Sequence, residues 1–166
     1  MTDDNHFESI LPQIIVVVGL PGSGKSQYIH SYKRDAYILD ECMVDIMWLS
    51  RVADAIQHSR LVIVSDSRFC MPSIFKRIYA KLLSMVMNSD QIRIVYFSNT
   101  PDQCASNVLI RAALYPRSRG RRSSESRELS TSEYKIWSNA YMDTINQIQA
   151  LHVNNQCIHV IPIATN

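Results

Sequence analysis

The stretch Ile14-Ile15-Val16-Val17-Val18-Gly19-Leu20-Pro21-Gly22-Ser23-Gly24-Lys25-Ser26 decides the fold. Five apolar residues, three of them valine, read as a strand buried on both faces. A complete G-x-x-x-x-G-K-S sequence follows without a spacer, where a strand turns into a helix. The glycines let the backbone curl so that successive N–H groups point inward, and the positive end of the next helix adds to that field. The expected ligand is a nucleoside triphosphate, ATP or GTP, cradled by Gly22, Ser23, Gly24, Lys25, Ser26 and Gln27. Lys25 should reach the β- and γ-phosphates, and Ser26 should place its hydroxyl on Mg²⁺.

Outward from this stretch, four more short apolar runs appear at wide spacing: 36–39, 61–64, 92–97 and 157–163. Each is too apolar for a half-exposed antiparallel strand, and helical patterns fill the gaps, as in a parallel sheet covered on both faces. The class is therefore α/β, with helices expected over 25–31, 43–57, 72–87, 101–113 and 132–150. Thr100 before Pro101 reads as an N-cap with proline at the first helical position, and Ser130 to Glu133 reads as a capping box.

A chain of 166 residues supports one core. Residues 1–13 read as a flexible lead-in without the basic, then apolar, order of a secretory signal, and 14–166 as a single domain. No apolar run approaches the ~20 residues that span a bilayer, so a cytoplasmic protein is expected, or one of the host cytoplasm if the source is a phage or virus. Cys42, Cys70, Cys104 and Cys157 form no C-x-x-C pair and the five histidines no ligand spacing, so zinc and a disulfide framework are not expected. The net charge is only +2, but Arg111, Arg117, Arg119, Arg121, Arg122 and Arg127 crowd one segment opposed by Glu125 alone. That segment attracts phosphate. An Arg-rich lid over about 114–131, closing on the donor triphosphate, is the expectation.

Ligands of open parallel sheets sit outside the carboxyl ends of the strands, so the acids that end a strand are the ones to examine. After the second strand come Asp40 and Glu41; after the third come Asp66, Ser67 and Arg68. Transfer to a hydroxyl needs a carboxylate to take its proton. Asp40 is the first choice and Glu41 the rival, since one residue of register at a strand end decides which faces the cleft. Asp66 is expected to act on Mg²⁺ through water or Ser26, or to orient the acceptor, with Ser67 and Arg68 on an acceptor phosphate. Asp45 reads as an exposed helix acid.

Together, Gly19 to Ser26, the segment Val62-Ile63-Val64-Ser65-Asp66-Ser67, the helix carrying Asn107 and Arg111, the basic segment and a last helix with Tyr134 and Trp137 resemble the kinase domain of phage-type polynucleotide 5′-hydroxyl kinases. The resemblance runs from about residue 14 onward. It implies a P-loop kinase sheet in strand order 2-3-1-4-5 with the Arg-rich lid, ATP and Mg²⁺ as donor and cofactor, and a nucleic-acid 5′-OH end as acceptor. It also implies an aspartate after the second strand as general base and arginines, among them Arg111 and Arg117, on the donor. One departure is plain. The family carries an arginine three residues past its aspartate to hold the acceptor's phosphate, and here the sequence after Asp40 is Glu41-Cys42-Met43, with no arginine until Arg51. Lid arginines are then the expected substitutes, Arg117 first by position, with Arg119, Arg121 and Arg122 as alternatives. No D-x-D phosphatase motif and no H-x-T/S phosphodiesterase pair occurs, so a kinase module alone is expected. A small-molecule kinase on the same fold, or a non-catalytic nucleotide-binding module, are the alternatives.

Overall fold

In the computed structural model, residues 13–114, 132–151 and 154–159 are described. The expected strands pair into one parallel sheet in the order β2-β3-β1-β4-β5, from β1 (Ile14–Val18), β2 (Ala36–Asp40), β3 (Leu61–Ser65), β4 (Ile92–Phe97) and β5 (Asn154–Ile158). The described helices are α1 (Lys25–His30), α2 (Trp48–Gln57), α3 (Pro72–Leu83), α4 (Pro101–Leu114) and α5 (Ser132–Ala150).

Alternation along β1 explains why the whole run is apolar. Ile14, Val16 and Val18 join Val62, Val64, Ile92 and Ile94 under Val52, Phe75, Leu82, Tyr141 and Ile148 from α2, α3 and α5. Ile15 and Val17 face the other way and pack with Ile63, Val95, Phe97 and Ile29 of α1. All five β1 residues are buried, as a central parallel strand requires.

Helix α5 fixes the carboxyl ends of the strands. The buried Tyr141 hydroxyl donates to the Phe97 carbonyl at 2.6 Å and accepts the Phe97 N–H at 3.2 Å, with the Val18 carbonyl 3.3 Å away. It thus sits between the ends of β1 and β4, strands whose onward connections leave in opposite directions, and burial pushes its phenol well above the usual tyrosine range. Thr144 donates to the Cys70 carbonyl at 2.7 Å and holds the turn after β3.

Several boundaries differ from expectation. The helix expected over 43–57 begins only at Trp48, after a 3-10 turn at Cys42–Val44. Asp45 is its interruption and not a helix acid: its backbone is extended, and its side chain accepts the Met47 N–H at 2.9 Å, a local bond that competes with helix. Helix α3 stops at Leu83, short of 87, where Ser84 donates back to the Lys81 carbonyl. β2 and β3 each run one residue further than expected, because Asp40 pairs with Ser65.

The last strand starts at Asn154 and not at Cys157. Its first residues are polar because it is an edge strand, and Asn155 donates to the Ile148 and Leu151 carbonyls at the end of α5. The Thr100 cap is as expected: Thr100 accepts the Gln103 N–H, and Gln103 accepts the Thr100 N–H. The lid expected over about 114–131, with Arg117, Arg119, Arg121, Arg122 and Arg127, lies outside the described residues beyond Leu114, as do the Ser130 cap and positions 160–163.

Candidate active site

The loop between β1 and α1 depends on its glycines. Gly22 has φ +84° and Gly24 φ +97°, both left-handed. A Cβ on Gly22 would collide with the Cys104 carbonyl of α4 and approach Val108 Cγ2 at 2.8 Å, so α4 closes the loop from behind. Asn107 completes that support by donating from Nδ2 to the Gly22 carbonyl at 3.1 Å. Within the loop the Ser23 N–H bonds the Leu20 carbonyl at 3.0 Å, and Lys25 Nζ donates to that same oxygen at 3.2 Å.

These residues fit a polyphosphate and its cation. The amides of Lys25, Ser26 and Gln27 open α1 and have no carbonyl four residues back within the helix. Ser26 and Gln27 are exposed. The buried Ser23 and Ser65 hydroxyls have no hydrogen-bond partner among the described residues. Among those residues no group of three or more His, Cys, Asp or Glu side chains can hold a metal. Mg²⁺ that keeps several waters and is shared between a loop hydroxyl and substrate phosphate oxygens needs no such all-protein cage.

Sheet register aligns the acids with this loop. Asp40 pairs with Ser65, and Ser65 pairs with Val17, two residues before Gly19. At a strand spacing of ~4.8 Å, Asp40 therefore lies about 10 Å across the sheet from β1. Asp40 is exposed and accepts the Glu41 N–H at 3.1 Å. Glu41 is left-handed at φ 50°, a conformation that costs a non-glycine residue about 1 kcal/mol or more. Both acids line an open cavity of about 470 Å³ with Cys42, Val44, Asp45 and Arg51. Burial, reinforced by Asp66, pushes the Cys42 thiol up to about 12, so this side chain stays a neutral thiol among the charged groups of the cavity.

Asp66 is spent inside the protein. It is only 3% exposed. Oδ1 accepts the Arg68 N–H at 2.9 Å and Arg68 Nε at 2.8 Å; Oδ2 accepts Arg68 Nη2 at 2.8 Å and the Met43 N–H at 3.0 Å. Four donors fill the four lone-pair sites of a carboxylate. The expected water-mediated contact with Mg²⁺ or direct contact with an acceptor finds no vacant site on it in this geometry. The bond from Asp66 holds the Arg68 guanidinium above its usual pKa and presents the rest of that half-buried group outward, with Ser67 beside it. Arg111 lies one helical turn past Asn107 on the same face of α4.

Two features were missed in the sequence. Arg51 shares the cavity with Asp40 and Glu41, its Nε 3.0 Å from Asp45 Oδ2. Asn107 reaches the loop across 85 positions. An exposed arginine on the first turn of a helix and a buried asparagine are too common in sequences to point at a site.

No protein-family model matches the chain. Over 99 residues, 58% of this chain and 70% of the relative, it is 30% identical to the uncharacterized protein R277 of Acanthamoeba polyphaga mimivirus. The chain belongs to the family of that mimivirus protein. It is also 27% identical over 106 residues to a second mimivirus protein, whose name provisionally makes it a bifunctional polynucleotide phosphatase/kinase. This chain spans about a quarter of that relative, the match covering 61% of the one and 24% of the other.

Among solved structures, a gluconokinase from Sinorhizobium meliloti 1021 superposes with TM-score 0.50 at 15% identity, covering 90% of this chain and 83% of the gluconokinase. A chain of the Pnkp1/Rnl/Hen1 RNA repair complex gives TM-score 0.52 at 13% identity, covering 88% of this chain and 49% of its own length. The fold is that of P-loop kinases, and no described helix is long and apolar enough to cross a membrane.

Proposed function

We propose that this family member transfers the γ-phosphoryl group of ATP to the 5′-hydroxyl end of a nucleic acid. The observation that carries the reading is the alignment of Asp40 with the phosphate loop across β3, at the mouth of a cavity open to solvent. In this reading Lys25 exchanges the Leu20 carbonyl for the β- and γ-phosphates. Ser26 holds Mg²⁺, which when bound neutralises phosphate oxygens. Asp40, or Glu41 beside it, takes the proton of the acceptor hydroxyl. The acceptor oxygen bonds to the γ-phosphorus, the bond to the β–γ bridging oxygen breaks, and ADP leaves. Asp66 acts as a positioning residue. Through Met43 and Arg68 it sets the turn that carries Asp40 and Glu41 and the face that Arg68 and Ser67 offer the acceptor. Arg111 and Arg117 complete the donor site.

The polynucleotide activities in one relative's name favour this acceptor. The gluconokinase likeness supports a second reading, a small-molecule acceptor on the same fold. Labelled γ-phosphate offered with a panel of 5′-OH oligonucleotides, nucleosides, mononucleotides and sugar acids separates them. Label on oligonucleotide ends is expected, and label on small acceptors alone would replace the first reading with the second.

A further inference from the structure

Arg51 lines two cavities. One is the acceptor cavity at the carboxyl end of β2; the other, of about 330 Å³, is lined by Tyr37, Asp54, Ala55, His58 and Arg60 as well as Arg51. β2 is an edge strand, so between these cavities its outer side has no neighbouring strand. Beside the second cavity the Arg60 guanidinium lies 5.1 Å from the Tyr37 ring centroid. Tyr37 is half-buried against the core, and the exposed Arg60 guanidinium laid over its ring offers a charged plane on which an unpaired base stacks. From the first cavity to the second, β2 runs three residues, Asp40 back to Tyr37, about 10 Å. That length holds at most about three nucleotides, the number reached at the ~3.4 Å rise of a fully stacked strand.

We infer that the outer edge of β2, from Arg51 to the Tyr37–Arg60 pair, is a track for a single-stranded acceptor, with Arg51 on the first phosphate beyond the reacting nucleoside. The inference rests on the nucleic-acid reading above. Asp45 holds Arg51 at the shared wall through Nε, and Nε is not the end of the fork that a phosphate needs. The exposed Val44, which lines the first cavity, gives the terminal base an apolar surface. The acids of the groove set its strength. Asp40 and Glu41 stand at the reacting end, Asp45 is paired with Arg51, and Asp54 lies 3.7 Å from His58. Few phosphates are held, and weakly, which suits turnover at strand ends better than tight binding along a duplex.

The test compares kcat/KM for phosphorylation of 5′-OH oligonucleotides of two, three, five and eight nucleotides by the full chain and by Arg60→Gln, Tyr37→Leu and Arg51→Gln. Lys81→Gln on the exposed face of α3 is the control for simple loss of charge. For the unmodified chain the octamer-to-dinucleotide ratio should exceed about ten, with kcat/KM levelling off near four nucleotides. Arg60→Gln and Tyr37→Leu should each lower that ratio about tenfold, while Lys81→Gln keeps it. Arg51→Gln should raise KM at every length. In octamer binding, Arg60→Gln should reduce the slope of log K against log salt by about 0.7. An unchanged length profile and salt slope in Arg60→Gln and Tyr37→Leu, with oligonucleotides still phosphorylated, overturns the track and leaves the activity standing. Failure of the unmodified chain to phosphorylate any oligonucleotide overturns the activity and the track with it.

Discussion

Asp66 accepts the backbone N–H of Met43 at 3.0 Å, a bond from the end of β3 to the turn that follows β2. The same carboxylate takes the Arg68 guanidinium through two bonds. One buried group thus ties together the two strand ends that carry Asp40, Glu41 and Arg68, the residues proposed for the acceptor. Asp66→Ala should cost about 2 kcal/mol, because the Met43 and Arg68 backbone N–H groups lose their acceptor while the part-exposed Arg68 guanidinium regains water, seen as a lower urea midpoint at unchanged slope.

Loop geometry gives a second expectation. Gly22→Ala adds a Cβ where the Cys104 carbonyl already lies, at φ +84°. It should lower stability by about 2 kcal/mol and weaken MgATP binding more than tenfold, read by thermal unfolding and calorimetry on one preparation.

Asn107 tests the support behind the loop. Asn107→Ala removes a neutral hydrogen bond to the Gly22 carbonyl, worth about 1 kcal/mol. KM for ATP should rise about fivefold, with KM for the acceptor unchanged.

The two acids after β2 are told apart by kinetics. Asp40→Asn should reduce kcat on the order of 10²-fold with little effect on the KM for ATP, whereas Glu41→Gln should cost less than tenfold. The reverse ranking makes Glu41, carried on its left-handed backbone, the base.

What the sequence disclosed follows the range of the interactions involved. β1 and its loop are written in thirteen consecutive residues, because strand burial, glycine turns and helix start are local signals. The sheet was legible from apolar runs. β5 begins before its apolar run because Asn155 serves the end of α5 and Gln156 is exposed at a sheet edge, neither of which looks like a buried strand. The helical pattern after β2 starts before the helix does because Asp45 caps its own turn. On the acceptor side, Asp66 with Met43 and Arg51 beside Asp40 are tertiary meetings, and no spacing announces them.

The central claim is that the loop from Gly19 to Ser26 binds the triphosphate of ATP. Isothermal titration of MgATP into the full chain tests it most directly, with Lys25→Ala as the comparison. One saturable site is predicted for the unmodified chain and a loss of affinity of at least tenfold for the variant. No heat of binding to well-folded unmodified protein, with either ATP or GTP, would contradict it.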